Sequence, residues 1–528
     1  MVLEEAPLVP VVSGVPVGCG PSVVPWVLSG KSVEAVRAQA GRLLADVEAR
    51  RVVDLVGVGA GLVGTRAAFE HRAVVVGSDR EGLLAGLAGL AAGVDVPGVV
   101  SGVAAVGGKS VFVFPGQGSQ WVGMARELVA VSPVFREWLG ECARALSVYV
   151  EWDVLEVLDD PVALERVDVV QPVLWAVMVS LAGLWRSWGV EPDAVVGHSQ
   201  GEIAAAVVAG ALSVADGARV VALRSQAIRV LAGLGGMVSV ALPVGEVRAR
   251  IGRWGEDVGV AAVNGPASTV VSGSVSALGE LMEVLAGEGV RVRRIPVDYA
   301  SHSAYVDRIR AQVLRVLEPI SPRSSEVAFY STVTGERVDT AGLDAEYWFR
   351  NLRATVEFEK ATRALLGDGY RIFVESSPHP VLAIGLQETF EAVGGGAHVV
   401  PSLRREEGGL ERFVMSVGQA YALGADVGWA GVFAGVRPVE LPTYPFQRRR
   451  YWLGSTAPVG DVRAAGLTAV GHAFLGAAVS PAGGDGLLLT GRLSLRGQPW
   501  LGDHAVTGTV LLPGTAFVDL ALHAGGQL

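Results

Sequence analysis

Ala194-Val195-Val196-Gly197-His198-Ser199-Gln200-Gly201-Glu202 is the stretch from which the rest of this chain is read. A β-branched run stops at Gly197, Ser199 stands two places on, Gly201 two places beyond it, and an alanine-rich run continues through Ala209. Glycine at both flanking positions permits a sharp turn from strand into helix, because a β-carbon at either would crowd the elbow. Ser199 is then exposed at the tip. The first N–H groups of the following helix have no intrahelical acceptor and point at any oxyanion formed there. Spacing alone is a weak signal in a chain with 70 glycines among 528 residues, and it is the strand before and the helix after that give it weight.

A chain of this length exceeds one comfortable hydrophobic core and predicts about two to four units. A net charge of −10 and the lack of a concentrated basic patch argue against nucleic acid as a partner. Cys19 and Cys142 are the only cysteines, so neither a disulfide framework nor a thiolate metal site is expected, and a reducing, cytoplasmic setting is. Mean hydropathy is high at +0.42. The tract Gly82 to Val100 comes nearest to a membrane span, but its glycines and Asp95 favour a helix and loop, and no membrane association is expected. No secretory leader is recognised at the start.

Along the chain, residues 1–23 open on VLEEAP and a Pro/Gly/Val linker. Residues 24–103 read as a small α/β unit, with strands at Val24 to Leu28 and Ala67 to Gly77 and helices at Ser32 to Arg50 and from Asp79. Within it Gly59, Gly61 and Gly64 match GxGxxG without the βαβ setting a dinucleotide site needs. Val111 to Phe114 is a strand running into PGQGSQ, which puts Gln117 on the same carboxyl edge of a parallel sheet as Ser199. Gln171-Pro172 is read as opening a helix, and Val214 to Val230 as the helix that carries Arg224. Residues 236–297 alternate as βαββαβ, the ferredoxin-like order, inserted in the larger domain. The larger domain ends near Val400. A linker to residue 455 includes LPTYPFQ at 441–447 and Arg448 to Arg450, read as a solvated or interface face rather than a nucleic-acid site, and a β-rich piece begins at about 468.

Serine needs a base for its proton and donors for the oxyanion. His302, just after the inserted unit, can face Ser199 across a cleft, whereas His198 at the elbow is read as packed. No third acidic residue stands where an α/β-hydrolase would have it, so a plain esterase is less well supported. Arg224 on a mostly apolar helix is the informative auxiliary residue, able to pair bidentately with a substrate carboxylate if its guanidinium reaches the cleft.

GHSQGE at 197–202, FPGQGSQ at 114–120, Arg224 within ALRSQ and YASH at 299–302 together resemble the acyltransferase domain of modular type I polyketide synthases. VLEEAP resembles the end of a ketosynthase domain, residues 24–103 the ketosynthase–acyltransferase linker, residues 104–400 the acyltransferase, and residues 401–455 the post-acyltransferase linker. In residues 468–528, His504, Gly508 and Pro513 match HxxxGxxxxP of a dehydratase domain, whose partner aspartate would lie beyond Leu528, so no dehydration is expected. The fold so implied is α/β. It has an α/β-hydrolase-like core carrying the ferredoxin-like insert, a small α/β linker domain before it and a partial hot-dog segment after it.

The activity implied is ping-pong transfer of an extender unit from acyl-CoA through Ser199, with His302 as base, to the phosphopantetheine thiol of an acyl carrier protein. The resemblance assigns the oxyanion hole to the backbone N–H groups of Gln117 and Gln200, and the free carboxylate of the extender to Arg224. Tyr299 and Ser301 of YASH, with Gln200, resemble the methylmalonyl-selecting form. The implied partners are the carrier protein and the adjoining ketosynthase and dehydratase domains; methylmalonyl-CoA is the substrate, no cofactor is held covalently and no metal is expected. A hydrolase or thioesterase acting on acyl-CoA, and a silent structural fragment, are the alternatives.

Overall fold

The computed structural model describes residues 21–104, 109–448 and 461–527, so VLEEAP, Cys19 and Arg449 to Trp452 fall outside the described residues. Two compact units are present, Met1–Pro445 and Phe446–Leu528.

The first unit opens with strands β1 (Val24–Gly30), β2 (His71–Gly77) and β3 (Val99–Val103), an antiparallel sheet in that order, with helices α1 (Val33–Ala49), α2 (Leu55–Gly64) and α3 (Arg80–Ala92). Each helix starts on a side-chain cap: the Ser32 hydroxyl accepts from Ala35 N–H, Asp54 from Val56 and Gly57, and Asp79 from Gly82. Strand β2 begins four residues later than the sequence reading. Residues before it are held as a loop by the Ser29 hydroxyl, which donates to Ala67 O and accepts from Phe69 N–H. The GxGxxG glycines lie inside α2 and serve close packing: a β-carbon at Gly59 would meet the Phe433 ring at 2.6 Å, and one at Gly61 would meet Val439 O at 2.7 Å. Residues 439–443 cross this domain, with Arg50, Arg66 and Arg42 donating to main-chain carbonyls of Glu440, Leu441, Pro442 and Thr443.

The larger body is built on six strands in the order β11-β10-β5-β4-β12-β13. In chain order its elements are β4 (Lys109–Phe114), α4 (Arg126–Val131), α5 (Pro133–Leu146), α6 (Val154–Val157), α7 (Val167–Ser187), β5 (Ala194–Gly197), α8 (Gly201–Val208) and α9 (Val214–Ile228). The insert follows as β6 (Gly236–Val240), α10 (Val244–Ile251), β7 (Val258–Gly265), β8 (Ser268–Gly273), α11 (Val275–Gly287) and β9 (Val292–Ile295). The chain returns with α12 (Arg310–Leu317), β10 (Ala328–Ser331), β11 (Glu336–Val338), α13 (Ala345–Arg353), α14 (Phe358–Gly367), β12 (Tyr370–Glu375), α15 (Ala383–Ala392), β13 (His398–Pro401), α16 (Leu410–Leu423) and α17 (Trp429–Val432). All neighbours in the six-stranded sheet are parallel except the edge pair β10–β11. The strand order turns about β4 and β12, the place where open α/β sheets form a crevice at their carboxyl ends.

Helix α7 begins at Val167, four residues before the Gln171-Pro172 start read from sequence. Arg166 and Arg229 pair with Asp168 of its first turn, at 2.8 Å and 3.4 Å, and Pro172 lies inside the helix. It is long and apolar enough to cross a membrane, but 94% of its most apolar window is buried in the protein. Gly82 to Val100 is α3, a turn and the start of β3, the helix and loop expected of it, and it is α7 that comes nearest to a span by length and composition. The thiol of Cys142 is buried in the same core. The insert has the order β7-β8-β6-β9, all antiparallel, which is the ferredoxin-like sheet. One face of it packs on α10 and α11; the other turns Ala262, Val270, Met237 and Ile295 toward the main body.

The second unit holds short strands β14 (Thr468–Ala469), β15 (Ala477–Val479) and β16 (Leu488–Thr490), then a hairpin of β17 (Ala505–Val506) and β18 (Thr509–Val510), and α18 (Gly514–Gly525). Phe474, Leu501 and Ala516 form its small core, while Phe517, Val518 and Leu522 of α18 are exposed.

The α2 packing has a direct consequence. Gly59→Ala is expected to lower unfolding free energy by about 1–3 kcal/mol through overpacking. Gly64→Ala, with open space at its β-carbon, should be neutral or stabilise slightly. Urea denaturation of the two variants checks this, and equal destabilisation would contradict it.

Candidate active site

The turn at Ser199 exists because three backbone segments come unusually close. A β-carbon at Gly201 would lie 2.0 Å from Phe114 O, and one at Gly197 would lie 2.2 Å from Glu202 N. Ser199 itself has φ +53°, a left-handed conformation that costs a non-glycine residue of order 1–3 kcal/mol and persists only where the surroundings enforce it. The His198 N–H donates to Phe114 O at 2.8 Å, carrying the β4–β5 ladder to the edge of the elbow, and α8 starts two residues after Ser199.

Ser199 Oγ lies 2.9 Å from His302 Nε2. The other ring nitrogen, Nδ1, is 2.8 Å from Ala354 O, and the His302 backbone N–H donates to Leu352 O. Both carbonyls belong to the end of α13, where helical C=O groups run out of intrahelical donors. A carbonyl can only accept, so the imidazole proton sits on Nδ1 and the Nε2 lone pair faces the serine hydroxyl. Burial lowers the His302 pKa to about 3 against the opposing bond to Ala354 O, so the ring is neutral at pH 7.

These groups open into a cavity of about 170 Å³ that is also lined by Arg224, Gln117, Gln200, Tyr299 and Ser301. Arg224 is fully buried, and its Nη1 donates to Asn351 Oδ1. Its Nε and Nη2 have no hydrogen-bond partner, which leaves two buried donors unsatisfied on a residue that lines the cavity. Burial lowers its pKa to about 10, still charged at neutral pH. The Tyr299 hydroxyl lies 3.2 Å from Gln117 Oε1 and 3.3 Å from Gln171 Nε2, and burial pushes its pKa up to about 12. The Gln200 side-chain amide is buried with neither end satisfied. His198 is packed as the sequence suggested, its Nε2 2.8 Å from Asn264 Oδ1 and its ring against Phe358.

His504 lies in the second unit, exposed, with Nδ1 2.9 Å from Leu511 O. Sequence reading gave no role to Asn351, Gln171 or Glu202. Asn351 was legible only as a polar residue four places after Tyr347 and three after Trp348, on the buried face of α13.

With this geometry established, comparison with known proteins is informative. The family profile "Acyl transferase domain" matches residues 111–427, and "Polyketide synthase dehydratase domain" matches residues 472–528. The chain belongs to the acyl transferase domain family. More narrowly, it is a type I polyketide synthase acyltransferase domain flanked by ketosynthase-linker and dehydratase N-terminal sequence. It is 57% identical over 515 residues to polyketide synthase GfsE of Streptomyces halstedii, covering 96% of this chain and 13% of that protein. It is 52% identical over 534 residues to the mycoketide-CoA synthase of Mycobacterium tuberculosis, covering 100% of this chain and 13% of that one. The chain thus spans about an eighth of the length of these relatives. Among solved structures, the acyltransferase domain from module 8 of the salinomycin polyketide synthase superposes with a TM-score of 0.76 at 54% identity, covering 78% of this chain and 98% of that one.

The buried, carbonyl-anchored imidazole leads to a spectroscopic expectation. In ¹⁵N-histidine-labelled protein, long-range ¹H–¹⁵N correlations should show His302 neutral with its proton on Nδ1 from pH 8 down to pH 5. A midpoint near the ordinary histidine value of about 6.5 would contradict it.

Proposed function

We propose that the chain loads a methylmalonyl unit from coenzyme A onto Ser199 and passes it to the phosphopantetheine thiol of an acyl carrier protein. The observation that carries this is one buried cavity shared by a serine–imidazole pair at 2.9 Å and a guanidinium with two unpartnered donors. A hydrolase of neutral esters has no need of the second feature.

In the first half-reaction Ser199 Oγ attacks the thioester carbon as its proton passes to His302 Nε2. The oxyanion is received by the N–H groups of Gln117 and Gln200, and collapse breaks the C–S bond. The imidazolium returns its proton to the departing thiolate, leaving an acyl-serine ester. The second half runs the same steps in reverse with the carrier thiol: it gives its proton to His302, attacks the ester carbon, and Ser199 recovers the proton. Arg224 holds the extender's free carboxylate through Nε and Nη2 in a two-point fork. That negative charge also offsets the cost of forming imidazolium in a buried site beside Arg224.

Tyr299 and Ser301 line the cavity where the α-substituent is expected. A small side chain at 301 leaves room for a methyl group, and discrimination by one methyl is about 1–3 kcal/mol, so selectivity over malonyl is real but limited. We further assign residues 24–103 as the linker domain, 104–400 as the acyltransferase, 401–455 as the following linker and 468–528 as the start of a dehydratase. The carrier protein and the flanking ketosynthase and dehydratase are the partners, in the cytoplasm.

Intact-mass spectrometry after brief exposure to malonyl-, methylmalonyl- and ethylmalonyl-CoA tests the reading. A methylmalonyl adduct should dominate and vanish in Ser199→Ala. Arg224→Ala should slow methylmalonyl loading by at least about 30-fold, the loss of a buried charge partner, with little effect on propionyl-CoA. An adduct that survives Ser199→Ala would overturn the nucleophile.

A further inference from the structure

Arg224 presents a physical difficulty that the transfer chemistry alone does not resolve. A fully buried guanidinium needs a counter-charge, yet a carboxylate in direct contact would occupy the donors that the substrate must use. The structure answers this with an intermediary. Asn351 Oδ1 accepts from Arg224 Nη1, and because Nη1 can only donate, the amide must turn its oxygen that way. Its Nδ2 then has two hydrogens to place. One goes to Ser199 O at 3.2 Å and the other to Glu202 Oε2 at 2.8 Å, so three hydrogen-bonding functions of the amide are engaged.

Glu202 is itself completely buried and fixed from several sides. The Tyr347 hydroxyl lies 2.6 Å from Oε2, the Thr332 hydroxyl 2.7 Å from Oε1, and the Thr332 N–H donates to Oε1 as well. Burial pushes the Glu202 carboxyl above the usual carboxylate range, and these donors, which favour the ionised form, offset part of that shift.

We propose that Glu202 and Asn351 are positioning residues for Arg224. Glu202 fixes the Asn351 amide, and Asn351 fixes the guanidinium with Nε and Nη2 open to the cavity. The acidic charge of Glu202 acts on Arg224 from one side chain's remove, which steadies the cation without neutralising its substrate-facing edge. The bond from Asn351 to Ser199 O ties the serine's backbone to the same amide, so elbow and carboxylate clamp keep one register. This inference rests on the acyl-transfer reading and on Arg224 as the carboxylate ligand.

The test is the ratio of single-turnover acylation rates with methylmalonyl-CoA and propionyl-CoA, which differ only in the carboxylate. Any general disturbance of the elbow slows both and cancels in the ratio. Asn351→Ala should lower the ratio at least 10-fold, and adding Asn351→Ala to Arg224→Ala should change the ratio less than 2-fold. Tyr347→Phe, which removes one bond to Glu202 and leaves Asn351 and Arg224 in place, should lower the ratio in the same direction by a smaller factor. Should Asn351→Ala fail to fold, Asn351→Asp preserves the shape and sets a carboxylate against Nη1; it too should lower the ratio. The proposal is overturned if Arg224→Ala collapses the ratio while the Asn351 and Tyr347 variants retain it, or if Asn351→Ala acts as strongly without Arg224 as with it. If Arg224→Ala itself leaves the ratio unchanged, the clamp and this inference fall together.

Discussion

The carboxyl end of α13 is the fixed point of the site. Three groups within four residues reach out of it: the Asn351 amide to Arg224 and to Ser199 O, Leu352 O to the His302 backbone, and Ala354 O to the His302 ring. A helix end always leaves carbonyls without intrahelical donors. Here those carbonyls do the orienting that an aspartate does in a serine triad, and they add no charge to the imidazole. What holds the end in place is the same buried face of the helix, where Tyr347 and Trp348 lie one turn before Asn351. The packing of α13 against the main body and the alignment of the imidazole are therefore one constraint.

Backbone strain is present at the same location. Ser199 and His302, the two partners of the 2.9 Å contact, both have left-handed backbone, at φ +53° and +57°. Such residues cost of order 1–3 kcal/mol each and need surroundings that over-determine them. For Ser199 the enclosure is the β4–β5 edge and the glycine contacts at 197 and 201. For His302 it is the Leu352 carbonyl on one side and the buried Ser301 and Ser303 on the other. Neither residue could relax without also losing the other's partner, so the elbow and the loop after the insert support each other.

Much of this was legible in the sequence, for reasons that can be named. The insert was readable as βαββαβ because its strands alternate and its second helix, α11, is capped at Ser274, whose hydroxyl accepts from Ala277 N–H. The elbow was readable because only glycine fits at positions 197 and 201. By contrast α2 was missed: LVGVGAGLVG has no polar face, and its glycines make sense only once Phe433 and Val439, nearly 400 residues away in the chain, pack on them. The start of α7 was placed too late because proline was taken as an opening residue. Asp168 in its first turn pairs at 2.8 Å with the adjacent Arg166 and at 3.4 Å with Arg229, and the second of these partners, which follows α9, is out of reach of a local reading. Asn351 escaped notice for the same kind of reason, since its three partners come from three other elements.

On the proposed loading reaction, charge burial ties these observations into one account of how the cavity would favour an acidic acyl group. Desolvation first, then His198 and Arg224, disfavour a charged His302, so the ring is held neutral and the site is set against gaining a second cation. On that reading a carboxylate at Nε and Nη2 of Arg224 would largely cancel the guanidinium's part of that field, and imidazolium formation would cost less when it is needed. A ligand without a carboxylate fills the same space and leaves the field unchanged. Recognition of the acid and activation of the serine would then be coupled through Arg224, so that the proposed selectivity is expressed in the rate of acylation as well as in binding.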